Sequence, residues 1–428
     1  MANSDITRIR ELAKKVRAIA ELDIQNENRK IWEAVNDLRM IRPAIHTRDL
    51  QVVVINKDNA LTPGSADPFL AAIEQELLLR LYEWEHLRCD RVISPFINCP
   101  AVIVDGQFGI ETKTTGVVTS GGYGASTFLT GGEYNSSLRF EPQIFTEDDI
   151  EKIKMPDIYW DKDATYKKRD MMNEVLDGIL GVKLSGVSDF HHAPWDQIIR
   201  WMGVTETMNN LALEPEFMHK VISRYTQCAS AQLKVCEELG IVSSNNSFEN
   251  VGNNDPGFTT QLPPPTESGI GCKLKDIWGH VADQIFTAVS PAMSSEFAFA
   301  YEGPYSEAYG LFSYGCCERL DNKIARLKES FPRLRKVSVS PFSDKEAALE
   351  QLGPDYVACF KPNSLYLSNP APDFEFSRRE LVEVCELAKK YNNNLVINMK
   401  TIITLRGEPE RLWKWCDMAR EVVDSYYR

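Results

Sequence analysis

Beyond Asp148 the chain alternates short apolar, β-branched runs with amphipathic stretches, a pattern that restricts it to an α/β architecture built on parallel strands. Strands are expected at 181–186, 240–244, 311–315, 336–340, 356–360 and 395–399. Helices are expected at 171–180, 194–210, 215–239, 274–288, 304–309, 321–331, 345–352, 379–390 and 408–426. Four closely spaced strands at the end, after several looser ones, predict a (β/α)8 TIM barrel over residues 91–428. A doubly wound sheet has the same periodicity and is the alternative.

Residues 1–90 read as an α-rich extension packed against that barrel. Residues 6–38 and 68–88 carry helical spacing, and the β-branched run at 52–55 reads as a strand. From 101 to 131 short β-like pieces are broken by glycine. No amphipathic helix follows Gly121, Gly122 and Gly124, so a loop or hairpin is expected there rather than a dinucleotide fingerprint. A net charge of -13 argues against a nucleic-acid partner. No apolar run approaches the roughly 20 residues of a membrane helix. The ten cysteines are scattered with no C-x-x-C pair, which predicts neither a zinc ribbon nor a disulfide framework and points to a reducing cytoplasm.

Chemistry concentrates where the expected strands end. The run Tyr314-Gly315-Cys316-Cys317-Glu318 empties a buried strand into two thiols and a carboxylate, with Asp321 just beyond. Cys316, Glu318 and His191 are the candidate catalytic groups. Cys316, Cys317 and Asp321 are the candidate metal ligands, although side chains adjacent on a regular strand point to opposite faces. His192, Asn245, Asn246, Tyr314, Lys361, Asn363 and Lys400 lie at other strand ends and are the candidate substrate contacts. Amides there can hold a polar substrate, and a strand-end lysine can pair an anionic group. For the Asn-rich loop 245–265 the competing reading is plain turn chemistry.

The run Pro194-Trp195-Asp196-Gln197-Ile198-Ile199-Arg200-Trp201-Met202-Gly203, followed by Pro215-Glu216-Phe217-Met218-His219, resembles the uroporphyrinogen decarboxylase superfamily. In that family a Pro-aromatic helix with a glycine exit precedes a Pro-Glu-x-x-His helix start. The resemblance spans roughly 180–428 and implies a (β/α)8 barrel with its pocket at the strand C-termini. The Arg-rich N-terminal motif of the decarboxylases has no counterpart here. The corrinoid-dependent methyltransferases of the superfamily place His-x-Cys where this chain has Tyr314-Gly315-Cys316, and a cysteine on the last strand where it has Met399 and Lys400. The resemblance therefore implies methyl transfer from a small O- or N-methylated substrate to a corrinoid on a partner protein, with zinc at Cys316 and a homodimeric assembly. The alternatives are a decarboxylase-type lyase on the same barrel and a non-catalytic small-molecule-binding homologue.

Overall fold

The computed structural model describes residues 3–48, 50–106, 108–115, 139–190, 192–252 and 254–427. The glycine run at 121–124 and His191 lie outside the described residues. The strands in chain order are β1 Ala44–Thr47, β2 Phe96–Pro100, β3 Val102–Asp105, β4 Thr114–Thr115, β5 Arg139–Phe140 and β6 Ile158–Asp161. They continue as β7 Gly181–Ser185, β8 Trp278–Val281, β9 Leu311–Tyr314, β10 Leu334–Val339, β11 Val357–Phe360 and β12 Asn394–Met399. The centre is a six-stranded parallel sheet in the order β1-β12-β11-β10-β9-β8. β2 and β7 form a separate parallel pair, while β3–β6 and β4–β5 are antiparallel. Isolated parallel bridges join Val187 to Val242 and His192 to Val281.

Every residue of β8, β9, β11 and β12 is buried, as expected for a parallel sheet covered on both faces. One face carries Phe312, Tyr314, Val337, Val339, Ala358, Phe360, Leu395 and Ile397 into the main apolar core. The other face mixes small apolar clusters with polar groups: the strand registers align His46 with Asn398, His280 with Ser313, and Ser338 with Cys359. The Asn-rich loop after Val242 bonds several of these groups. His46 Nε2 is 3.0 Å from Asn250 Oδ1. Ser338 Oγ donates to Asn254 Oδ1 at 2.7 Å, and Asn398 Nδ2 donates to the Asn254 carbonyl at 2.7 Å. Ser313 also bonds Asn254, and Lys336 forms an ion pair with Asp255. The helix Ile24–Asn36 seals the sheet edge below this loop. Its Asn36 Nδ2 donates to the carbonyls of Pro256 and Phe258 at 3.0 and 2.9 Å.

Several local expectations change. The helical stretch at 6–38 is two helices, Asn3–Ala20 and Ile24–Asn36. The run expected as a strand at 52–55 is one helical turn, Val52–Ile55, with the Asn56 amide bonded to the Val52 carbonyl at 2.7 Å. β1, just upstream, takes the place beside β12, and residues 52–55 close a helical turn instead of extending the sheet. The helix expected at 274–288 instead contains β8 between two short 3-10 turns, Leu274–Asp276 and Gln284–Ala288. A strand buried on both faces has no polar-apolar alternation, so its sequence pattern does not separate it from a buried helix. The expected 240–244 strand contracts to the single bridge at Val242.

Candidate functional site

β9 delivers Tyr314 and then turns at Gly315, whose φ of 96° lies in the left-handed region. A Cβ at Gly315 would stand 2.5 Å from Leu320 Cδ1 and 3.1 Å from Ser338 Cβ. Glycine thus lets the chain reverse against β10 and present Cys316 beneath the ends of β11 and β12. Gly315→Ala should cost about 1–3 kcal/mol through backbone strain and displace the Cys316 thiol. Urea unfolding checks the first effect, and the rate of Cys316 alkylation checks the second.

Cys316 is 3% exposed. Its Sγ lies 3.5 Å from Cys317 Sγ and 3.2 Å from Lys400 Nζ. Lys361 Nζ donates to the Cys316 carbonyl at 2.6 Å and to Ser338 Oγ at 2.8 Å, holding the turn from the other side. The hydrogen bond from Cys317, followed by the charges of Lys361 and Lys400, pulls Cys316 well below the ordinary thiol range in spite of its burial. Cys317 moves the opposite way, driven first by its bond to Cys316 and then by burial. The two thiols thus move in opposite directions, which favours the charge on Cys316 and the proton on Cys317.

Glu318 is 2% exposed. It accepts the Cys316 amide at Oε2 (2.7 Å) and the Asp283 amide at Oε1 (3.3 Å). Burial, followed by the Cys316 charge, raises its carboxyl to about 7. A folded-state pKa above the unfolded one means that the folded protein retains a proton the unfolded chain releases. Stability from Glu318 is therefore complete below the ordinary carboxyl range of about 4 and is lost as pH rises from there to about 7, by up to about 3 kcal/mol. Denaturant midpoints measured across that window should fall in the wild type, and Glu318→Gln should flatten the decline.

Behind Glu318 lies a second acidic group that the sequence did not expose. Asp283 and Glu302 are buried together, and both carboxyls are raised, chiefly by burial; the Glu302 charge adds to the effect at Asp283. Tyr314 donates its hydroxyl to Glu302 Oε2 at 3.1 Å, and the Trp195 amide donates to Asp283 Oδ1 at 3.0 Å. The adjacent Asp196 accepts the amides of Ile285 (2.9 Å) and Gln284 (3.2 Å). The start of the Pro194–Met202 helix is thereby fastened to the segment after β8. Asp283 and Glu302 lie on separate elements in stretches without a motif, so no local signal announces them.

The other expected site residues fall in several places. Lys361 and Lys400 join Cys316, and Tyr314 and Glu318 flank it. Asn245 is occupied with backbone: its Nδ2 donates to the Ser188 and Trp278 carbonyls and its Oδ1 accepts the Trp278 amide. Asn246 similarly bonds Thr259, Leu262 and Pro263. Asn363 accepts the Leu365 amide at 3.1 Å at the start of a short helix. His192 is buried and stacks on Tyr305 at 3.8 Å between ring centroids. His191 lies outside the described residues. Asp321 faces Arg319 at 2.8 Å; burial opposes its ionisation, but the guanidinium outweighs it and lowers the carboxyl.

Zinc requires three or four converging ligands. Among the described residues no group of three or more His, Cys, Asp or Glu side chains could hold a metal ion. Asp321 is committed to Arg319, and the Lys400 ammonium stands where a second cation beside Cys316 would be repelled. Of the candidate metal ligands, Cys316 and Cys317 lie together, and Asp321 does not complete a three-ligand group with them. Among the described residues no helix is long and apolar enough to cross a membrane.

No protein-family model and no curated protein matches the chain. Among solved structures, a methyltransferase from Methanosarcina mazei aligns over 94% of this chain and 99% of its own, at 10% identity and a TM-score of 0.48.

Proposed function

We propose that the chain is a methyltransferase-like enzyme that takes a methyl group from a small O- or N-methylated substrate onto Cys316 and passes it to a corrinoid carried by a partner protein. The observation that carries this reading is the Lys400 ammonium 3.2 Å from the buried Cys316 sulfur. A thiolate held without water around it, at the end of a strand, is a nucleophile prepared for attack on carbon. In the transfer the Cys316 lone pair forms the S–C bond as the heteroatom–carbon bond breaks. Glu318, which retains a proton near neutral pH, gives that proton to the departing oxygen or nitrogen. When the methyl group leaves sulfur for the acceptor, Lys400 stabilises the returning thiolate, and Glu318 regains a proton from water. No step is assigned to zinc.

The same reading takes the fold as a (β/α)8-type barrel. Parallel pairing runs from β1 through β12, β11, β10 and β9 to β8, and the bridges at Val281–His192 and Val187–Val242 and the pair β7–β2 support its continuation. Residues 1–90 then contribute β1 to the ring and pack their helices against the 91–428 unit.

Incubating the protein with cob(I)alamin and a panel of methyl ethers and methylamines tests the reaction. Methylcobalamin should form from at least one donor, and without acceptor the intact mass should show one methyl group on Cys316. Carbon dioxide release without methylation would establish the lyase instead, and ligand binding without any product would establish the binding protein.

A further inference from the structure

We propose that the cavity between β2, β7 and the loop after Val242 is a second ligand site, shaped for a small zwitterion whose ammonium meets Glu249 and whose carboxylate meets Lys183. The cavity has a volume of about 270 Å³ and is lined by Phe96, Asn98, Lys183, Ser188 and Glu249, among others. That is just below the ~300–1,000 Å³ typical of drug-sized sites, so its occupant is small.

The geometry presents two opposite charges to one space. The β2–β7 register sets Asn98 beside Lys183, on the same face of the pair as Phe96. Glu249 enters from the loop, and its Oε1 accepts a hydrogen bond from Asn98 Nδ2 at 2.6 Å, which fixes the carboxyl at the cavity wall. The Lys183 ammonium stands 4.4 Å from the centroid of the Phe96 ring. Among the described residues neither Lys183 nor Glu249 has an ion-pair partner, and they do not pair with each other. Burial, and then the charge of Glu76, hold the Glu249 carboxyl above its ordinary range, against the opposing pull of the Asn98 hydrogen bond and the Arg80 charge.

A basic and an acidic side chain that do not pair with each other face one partly enclosed cavity, and a single ligand carrying both complements satisfies them together. A purely cationic or purely anionic ligand would leave one of them unmatched, and a neutral polyol would leave both. The Phe96 and Phe248 rings, 5.7 Å apart, provide an apolar wall for the short carbon skeleton between the two charged ends.

Calorimetric titration of the full chain with glycine, L-proline and L-threonine, against ethylamine, propionate and glycerol, tests the site. At least one zwitterion should bind about tenfold or more tighter than either charged half, with glycerol weakest. Lys183→Met should reduce that affinity to the level of ethylamine, and Glu249→Gln to the level of propionate. The wild-type comparison needs no variant to fold, and the readout is binding alone, so it is independent of the chemistry at Cys316. A zwitterion that binds no tighter than its halves, the absence of any zwitterion binding, or affinity unchanged in both variants would overturn the proposal.

Discussion

Cys316→Ala is expected to lower methyl transfer by roughly 10³-fold or more, because it removes the attacking atom and leaves only substrate positioning. The accompanying change is at Lys400. Its ammonium, 3.2 Å from the sulfur, favours the thiolate over the thiol, so Lys400→Met should raise the Cys316 pKa. Once that pKa passes the working pH, the thiolate fraction, and with it the iodoacetamide alkylation rate, should drop by roughly tenfold for each further unit of rise. The pH profile of alkylation separates this effect from misfolding: the variant should recover its rate at higher pH, whereas a collapsed site would not. In the wild type Cys316 should be alkylated ahead of the core thiols, such as Cys359 and Cys385, which burial pushes above their ordinary range. Full turnover by the alanine variant would sink the covalent route while leaving the fold untouched.

Lys336→Met should produce the largest loss of stability. Lys336 and Asp255 are each 0% exposed and bound to one another, one from β10 and the other from the loop that crosses the polar sheet face. Removing the ammonium leaves a carboxylate buried without its counter-ion, a defect that costs about 3–5 kcal/mol. The double variant Lys336→Met with Asp255→Asn should recover part of that loss, since a neutral amide is easier to bury than an unmatched charge. Urea unfolding of the three proteins measures this. A single variant within about 0.5 kcal/mol of the wild type would mean that the loop is not held by this pair.

The strand–helix alternation was legible because its two periods are local: neighbouring residues in β10 and β12 and along the helix Phe374–Tyr391 carry the pattern themselves. The strand end at Cys316, with Lys361 and Lys400 at the next ends, could be located for the same reason. β8 escaped because complete burial removes alternation, and Val52–Ile55 misled because β-branched residues form a strand only where an open edge awaits them. The polar sheet face was equally hidden. His46, Lys336, Ser338 and Asn398 look like interruptions in apolar runs until the loop of Asn250, Asn254 and Asp255 is folded against them. The state of Cys316 depends first on its neighbour Cys317 and then on Lys361 and Lys400, the latter 84 residues away, and the buried partnership of Asp283 with Glu302 depends on two segments meeting behind Glu318. Sequence by itself determined most of the elements beyond Asp148 and the strand ends that carry Cys316, Lys361 and Lys400. Only the tertiary structure determined their ionisation, because desolvation and the Coulomb field of a distant residue act through space rather than along the chain.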